Sequence, residues 1–292
     1  MHVLNYGDSG MQKNVSVRFF KILKHNAGDQ GVQDTLNIIL SKISTGENVE
    51  RETSNDAFVQ MDRLSKVDGI WVGEISRNQK TNFPHEVTDN GPIPLSTDNN
   101  LGHGIAFSYD PANSCLALQF DTQIVSPSRF IAYLNDFGAK GIWHDAVLRK
   151  GIIGKLDDFK AKKIVVGIAS PTSFSGLGDE TIESTANELG RAYGGANLQI
   201  IISAERGGFL NEGVLPMVGS LLGNEHLRAL KIKTDRPSGH EDHELNLIKE
   251  VMRVDRELNL DDRDPDVRYG RCSSFVQESY SAQKAYITAN YG

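Results

Sequence analysis

Asp68-Gly69 stands between two apolar runs, Ala57-Phe58-Val59-Gln60-Met61-Asp62-Arg63-Leu64 and Ile70-Trp71-Val72-Gly73-Glu74-Ile75. An Asp-Gly pair tolerates the positive φ that a two-residue turn demands, so the flanking runs are expected to fold back as an antiparallel hairpin. A second hairpin is predicted at residues 104–109 and 115–120, where Pro111 after Asp110 presets the turn. Residues 15–22, rich in aromatic and β-branched side chains, read as a half-buried strand. A helix is predicted over 34–44, with Asp34 as cap and Leu36, Ile39, Leu40 and Ile43 at helical spacing. Another helix opens at Ser126-Pro127 and runs to Phe137. Residues 79–100 carry Pro84, Pro92 and Pro94 and almost no apolar periodicity, which suits a functional loop or a surface excursion.

The second half changes rhythm. Residues 163–169 and 198–203 are near-continuous apolar runs with a helical pattern at 179–193 between them, a strand–helix–strand arrangement. A helix at 212–222 leads to an alternating strand at 227–233 with one basic face, and two long helices are predicted at 240–258 and 273–289. The fold class is therefore α+β. A β-rich unit with hairpins and helices spans residues 1–148, and an α/β unit ending in two helices spans residues 149–292. Residues 138–163 form the connection.

Composition removes several classes. The chain of 292 residues is 39% hydrophobic and 24% charged, which excludes collagen-like and disordered chains. No apolar run is long enough to span a bilayer, so no membrane insertion is expected. No basic segment followed by an apolar stretch opens the chain, and Cys115 and Cys272 are too few for a disulfide framework; both point to a cytoplasmic location. The net charge of −7 disfavours a wholly electrostatic nucleic-acid binder but leaves room for a local basic face.

That basic face is predicted in the second half. Arg149, Lys150, Lys155, Lys160, Lys162 and Lys163 meet only Asp157 and Asp158 within residues 149–163. Arg228, Lys231, Lys233 and Arg236 surround the later strand. If the two sets share a face, they position phosphates and give a salt-sensitive grip on duplex nucleic acid, most readily DNA. A solvated linker with incidental lysines is the competing reading.

Catalytic signatures are sparse. His240, Glu241, His243 and Glu244 are the densest set of metal-ligating types, but Ser238 and Glu241 also fit a helix capping box. Asp262, Asp264 and Asp266 alternate as calcium ligands do, yet Val267 stands where such a loop requires Gly, leaving a polar loop between helices stiffened by Pro265. No G-x-S-x-G elbow accompanies His144-Asp145, and Gly176-Leu177-Gly178, Gly194-Gly195 and Gly207-Gly208 lack phosphate-loop spacing. Glu74 and Glu205 lack the following Lys of a carboxylate nuclease motif. No cofactor or metal site is predicted.

The segments Gly69-Ile70-Trp71-Val72-Gly73, Gly104-Ile105-Ala106-Phe107-Ser108-Tyr109-Asp110 and Gln123-Ile124-Val125-Ser126-Pro127-Ser128-Arg129-Phe130-Ile131-Ala132-Tyr133-Leu134, with the strand at 164–168, are similar to RexA-type phage-exclusion proteins and KwaB-type defence subunits. This resemblance implies two α+β units, self-association, DNA binding and a sensor role in defence against phage, with no catalytic residues to transfer. The leading expectation is a non-catalytic nucleic-acid-binding sensor that forms homo-oligomers. The alternatives are a metal-dependent nuclease using residues 238–244, and an interaction subunit that meets a partner protein through Phe275, Tyr280, Tyr286 and Ile287.

Overall fold

The computed structural model describes residues 12–24, 30–54, 57–81, 83–95, 97, 99–150, 152, 161–169, 180–193, 197–206, 208–210, 218, 221–222, 227–234, 243–260 and 264–291. The fold is α+β and is organised by one large antiparallel sheet. Its strands are β1 (Gln12–Lys24), β2 (Arg51–Ser54), β3 (Ala57–Val67), β4 (Ile70–Gln79), β7 (Leu101–Asp110), β8 (Cys115–Gln119), β9 (Ile142–Ala146) and β14 (Arg253–Asn259). They lie in the order β14-β1-β8-β7-β4-β3-β2, with β9 paired to β1. The predicted hairpin is present: Val67 pairs with Ile70, and Asp68 (φ 49°) and Gly69 (φ 83°) both take the left-handed conformation of a tight turn.

The sheet is covered on both sides, and β1 shows how. Phe19 and Phe20 point to opposite faces, yet both are fully buried. Phe20 and Ile22 join a core with α1 (Val32–Ser44) and α2 (Pro127–Asp136). Val15, Val17 and Phe19 join a separate cluster with α4 (Pro265–Tyr291). Helix α2 starts as its sequence dictates, with the Ser126 hydroxyl accepting the Arg129 amide at 3.2 Å and Pro127 at the first helical position. In α1 the cap is Gly31, not Asp34, which sits in the first turn where the helix dipole favours a carboxylate.

A second sheet, ordered β11-β10-β12-β13, comprises β10 (Ala161–Ala169), β11 (Asn197–Ser203), β12 (Leu227–Thr234) and β13 (His243–Asn246). Helix α3 (Glu180–Tyr193) connects β10 to β11, which run antiparallel as direct neighbours. Ile164, Val166, Leu230 and Ile232 bury one face of this sheet into the same core that holds α1 and α2.

Four expectations are corrected. The helix predicted at 240–258 is instead β13, a 3-10 turn (Leu247–Glu250) and β14, so the chain ends in one long helix rather than two. Leu245, Leu247, Ile248 and Val251 fit helical spacing, but the free edge of β1 accepts Arg253–Asn259 as a strand, and tertiary pairing overrides local preference. Residues 138–163 are more than a connection, because β9 pairs with β1 beyond the end of β14. Residues 79–100 hold a small hairpin, β5 (His85–Thr88) with β6 (Gly91–Pro94). Pro265 opens α4 after β14, so the loop before it joins a strand to a helix.

The division at residue 148 follows chain order. In space, β14 and α4 return to the first sheet, where Tyr280 donates to Asp110 at 2.6 Å and Lys284 pairs with the same carboxylate at 2.8 Å. The helical stripe expected to meet a partner protein lies against this sheet: Phe275, Tyr280 and Ile287 are buried, and the Tyr286 hydroxyl donates to the Leu148 carbonyl at 3.1 Å.

Candidate functional site

Among the described residues, two surfaces carry chemistry. The first is the outer face of the second sheet. Because side chains alternate along a strand, Ile164, Val166 and Ile168 turn to the core and Lys163 and Val165 turn outward. Lys163 lies directly opposite Lys233, and Val165 opposite Lys231, so three of the predicted cations share one face. Glu244 on β13 pairs with Lys231 at 2.7 Å. A hydrogen bond from Lys231, with Lys233 and Lys163 nearby, holds the Glu244 carboxyl below its ordinary range. Ile201, 52% exposed, stands beside Val165 on the same face.

The register does not place the remaining predicted cations with them. Lys162 and Arg228 each fall at a break in the pairing register, Lys162 between Ala161 and Lys163 and Arg228 between Leu227 and Ala229, so alternation does not assign either of them to the lysine face. Arg149 and Lys150 are exposed elsewhere, with the Arg149 amide bonded to the Glu250 carbonyl at 2.8 Å at the 3-10 turn. Lys155, Lys160 and Arg236 lie outside the described residues, as do residues 238–242 of the possible metal cluster. Among the described residues no three His, Cys, Asp or Glu side chains gather as a metal ion would require.

The second surface was not predicted. It is a cleft of about 310 Å³ on the face of the first sheet that α4 covers only in part. Register builds its floor: Glu74 opposes Ala106, Ser76 opposes Gly104, and Asn78 opposes Gly102. A bulge in β3 adds Asp62 beside Arg63, which opposes Glu74 and pairs with it at 2.9 Å. Arg63 also reaches Asp266 at the start of α4, at 2.6 Å. A side chain at Gly104 would collide with the Glu74 carboxyl, whereas one at Gly102 would meet only Asn78 Oδ1 at 3.8 Å. A side chain at 104 would therefore have to displace the Glu74 carboxyl, whereas the floor is open at 102.

Burial raises the Glu74 carboxyl above its ordinary range, Asp62 nearby adds to the rise, and Arg63 and Arg268 oppose it. Asp62 is raised as well, by the crowding of the cleft wall, although it accepts from Gln60 at 2.9 Å and keeps an exposed surface. Such a pair holds its protons more readily than free carboxyls do and can accept hydrogen bonds from a ligand. Sequence reading singled out Glu74 only for its missing Lys. The cue it lacked was register, because the cleft draws on β1, β3, β4, β7, β8 and α4.

Among the described residues the molecule is thus an α+β protein with two main sheets, a lysine-bearing face on the second and a mixed-charge cleft on the first. Residues 11–284 match DUF6731, a family of unknown function, and the chain belongs to that family. No curated protein matches it.

Proposed function

We propose that the outer face of the second sheet binds the phosphate backbone of duplex nucleic acid without reading its sequence. One observation carries the reading: Lys163 and Lys233 oppose each other across a strand pair with Lys231 alongside, and among the described residues Glu244 is the carboxylate that pairs with them. Like charges placed directly opposite one another destabilise a sheet, and a polyanion laid across them relieves that repulsion. The face has no aromatic platform among its described residues, which favours duplex backbone over stacked single strands. A sensor role in phage exclusion and self-association, as the resemblance to RexA-type and KwaB-type proteins implies, belongs to the same reading.

Fluorescence anisotropy with a short DNA duplex at two salt concentrations tests it. Binding weakens as salt rises, and Lys163→Gln and Lys233→Gln each lower the slope of log K against log salt by about 1. Absent or salt-independent binding rejects the proposal. Measured mass in solution tests self-association, and a monomer at working concentration removes that part.

A further inference from the structure

The cleft on the first sheet separates two kinds of chemistry. Its floor holds the acceptors Asp62 and Glu74. At its mouth stand Lys13 and Arg268, both exposed. Lys13, Arg268 and Glu74 all act electrostatically on the Cys272 thiol, and Arg268 acts on Glu74 as well, so the cations and the acceptors converge on one volume.

What separates these cations from Arg63 is pairing. Arg63 is held by Glu74 and Asp266, and its guanidinium lies over the Tyr269 ring at 4.8 Å. Neither Lys13 nor Arg268 has a carboxylate of the described residues within ion-pair distance. A metal cation would meet these two charges as well as the carboxylates, and a bare anion would meet the carboxylates. The ligand that satisfies both ends has an anionic group for the mouth and hydroxyl donors for the floor.

The geometry points to a binding site for a small phosphorylated polyol, a sugar phosphate or the ribose-phosphate part of a nucleotide. Lys13 and Arg268 take its phosphate, and Asp62 and Glu74 accept from its hydroxyls. The volume of about 310 Å³ suits a ligand of that size, and the bare backbone at Gly102 lets a ring approach the sheet. This site lies on the first sheet and does not depend on the lysine face of the second.

Calorimetric titration of the full chain with ribose 5-phosphate, ribose and inorganic phosphate tests the proposal. Ribose 5-phosphate binds saturably and more tightly than either fragment. Arg268→Gln and Lys13→Gln, both at exposed positions, weaken ribose 5-phosphate about tenfold or more, as loss of a charged hydrogen bond requires. Asp62→Asn weakens ribose 5-phosphate and leaves inorganic phosphate unchanged. The same titration with adenosine 5′-monophosphate separates the two sources: tighter binding assigns the nucleotide, weaker binding the free sugar phosphate. The proposal falls if the unmodified chain binds none of these probes, if ribose 5-phosphate binds no better than inorganic phosphate, or if Arg268→Gln and Lys13→Gln leave its affinity unchanged.

Discussion

The outer faces of the two sheets solve the same problem in opposite ways. Where α4 covers the first, outside the cleft mouth with Lys13 and Arg268, its charges sit in pairs: Arg63 with Glu74 and Asp266, Lys284 with Asp110, Arg256 with Glu278 at 2.6 Å. The second has no comparable cover among its described residues, and three lysines there share Glu244. A covered face has to neutralise its charges internally, because a desolvated and unpaired charge is costly. An uncovered face can leave cations to water, where they stay available to a ligand. Coverage, more than net charge, therefore decides where this acidic chain can meet a polyanion.

The contrast breaks most readily at the cover. Phe275, 1% exposed and packed with Val15, Val17 and Phe19, anchors α4, and Phe275→Ala is expected to cost about 3–5 kcal/mol in urea denaturation. A cost below about 1 kcal/mol would show that α4 does not hold the first face closed.

A smaller effect is expected within the first sheet, at Asp145 on β9. Its cross-strand neighbour Lys21 donates to the Asn113 carbonyl instead, and burial lifts the Asp145 carboxyl from 3.8 to about 6. A carboxyl raised on folding binds its proton more tightly in the folded chain. It therefore removes stability as pH rises from about 4 through 6, after which the loss is constant. Asp145→Asn should lack this fall, seen as the difference between its melting temperature and that of the unmodified chain across this range. A difference independent of pH would refute the assignment.

The smallest effect belongs to the open face. Ile201→Thr, at a position already half in water, should change stability by no more than about 0.5 kcal/mol. A cost above about 2 kcal/mol in the same urea experiment would mean that something covers this face, and the contrast would lose its second half.

Much of the fold was legible wherever local chemistry dictates backbone shape. Asp68-Gly69 specified a turn and Ser126-Pro127 a helix start, and both stand where the sequence places them. What stayed hidden depends on partners distant in sequence. Arg253–Asn259 is a strand because β1 has an edge to offer, and β9 pairs along that same edge. The lysine face was half legible: strand alternation placed Lys231 and Lys233 together, but the cross-strand pairing that sets Lys163 opposite Lys233, and the break in register at Lys162, cannot be read from a count of cations along the chain. The cleft was invisible because Lys13 and Arg268 meet only once six elements are assembled.

The pairing of β1 with β14 also sets an order of events during synthesis. Gln12 finds its partner in Asn259, so β1 must wait until β14 has been translated before that stretch of its edge is closed. Until then residues 12–18 of that edge lack their native partner, and an unpaired strand edge of this kind invites pairing with another strand, so late closure favours misassembly.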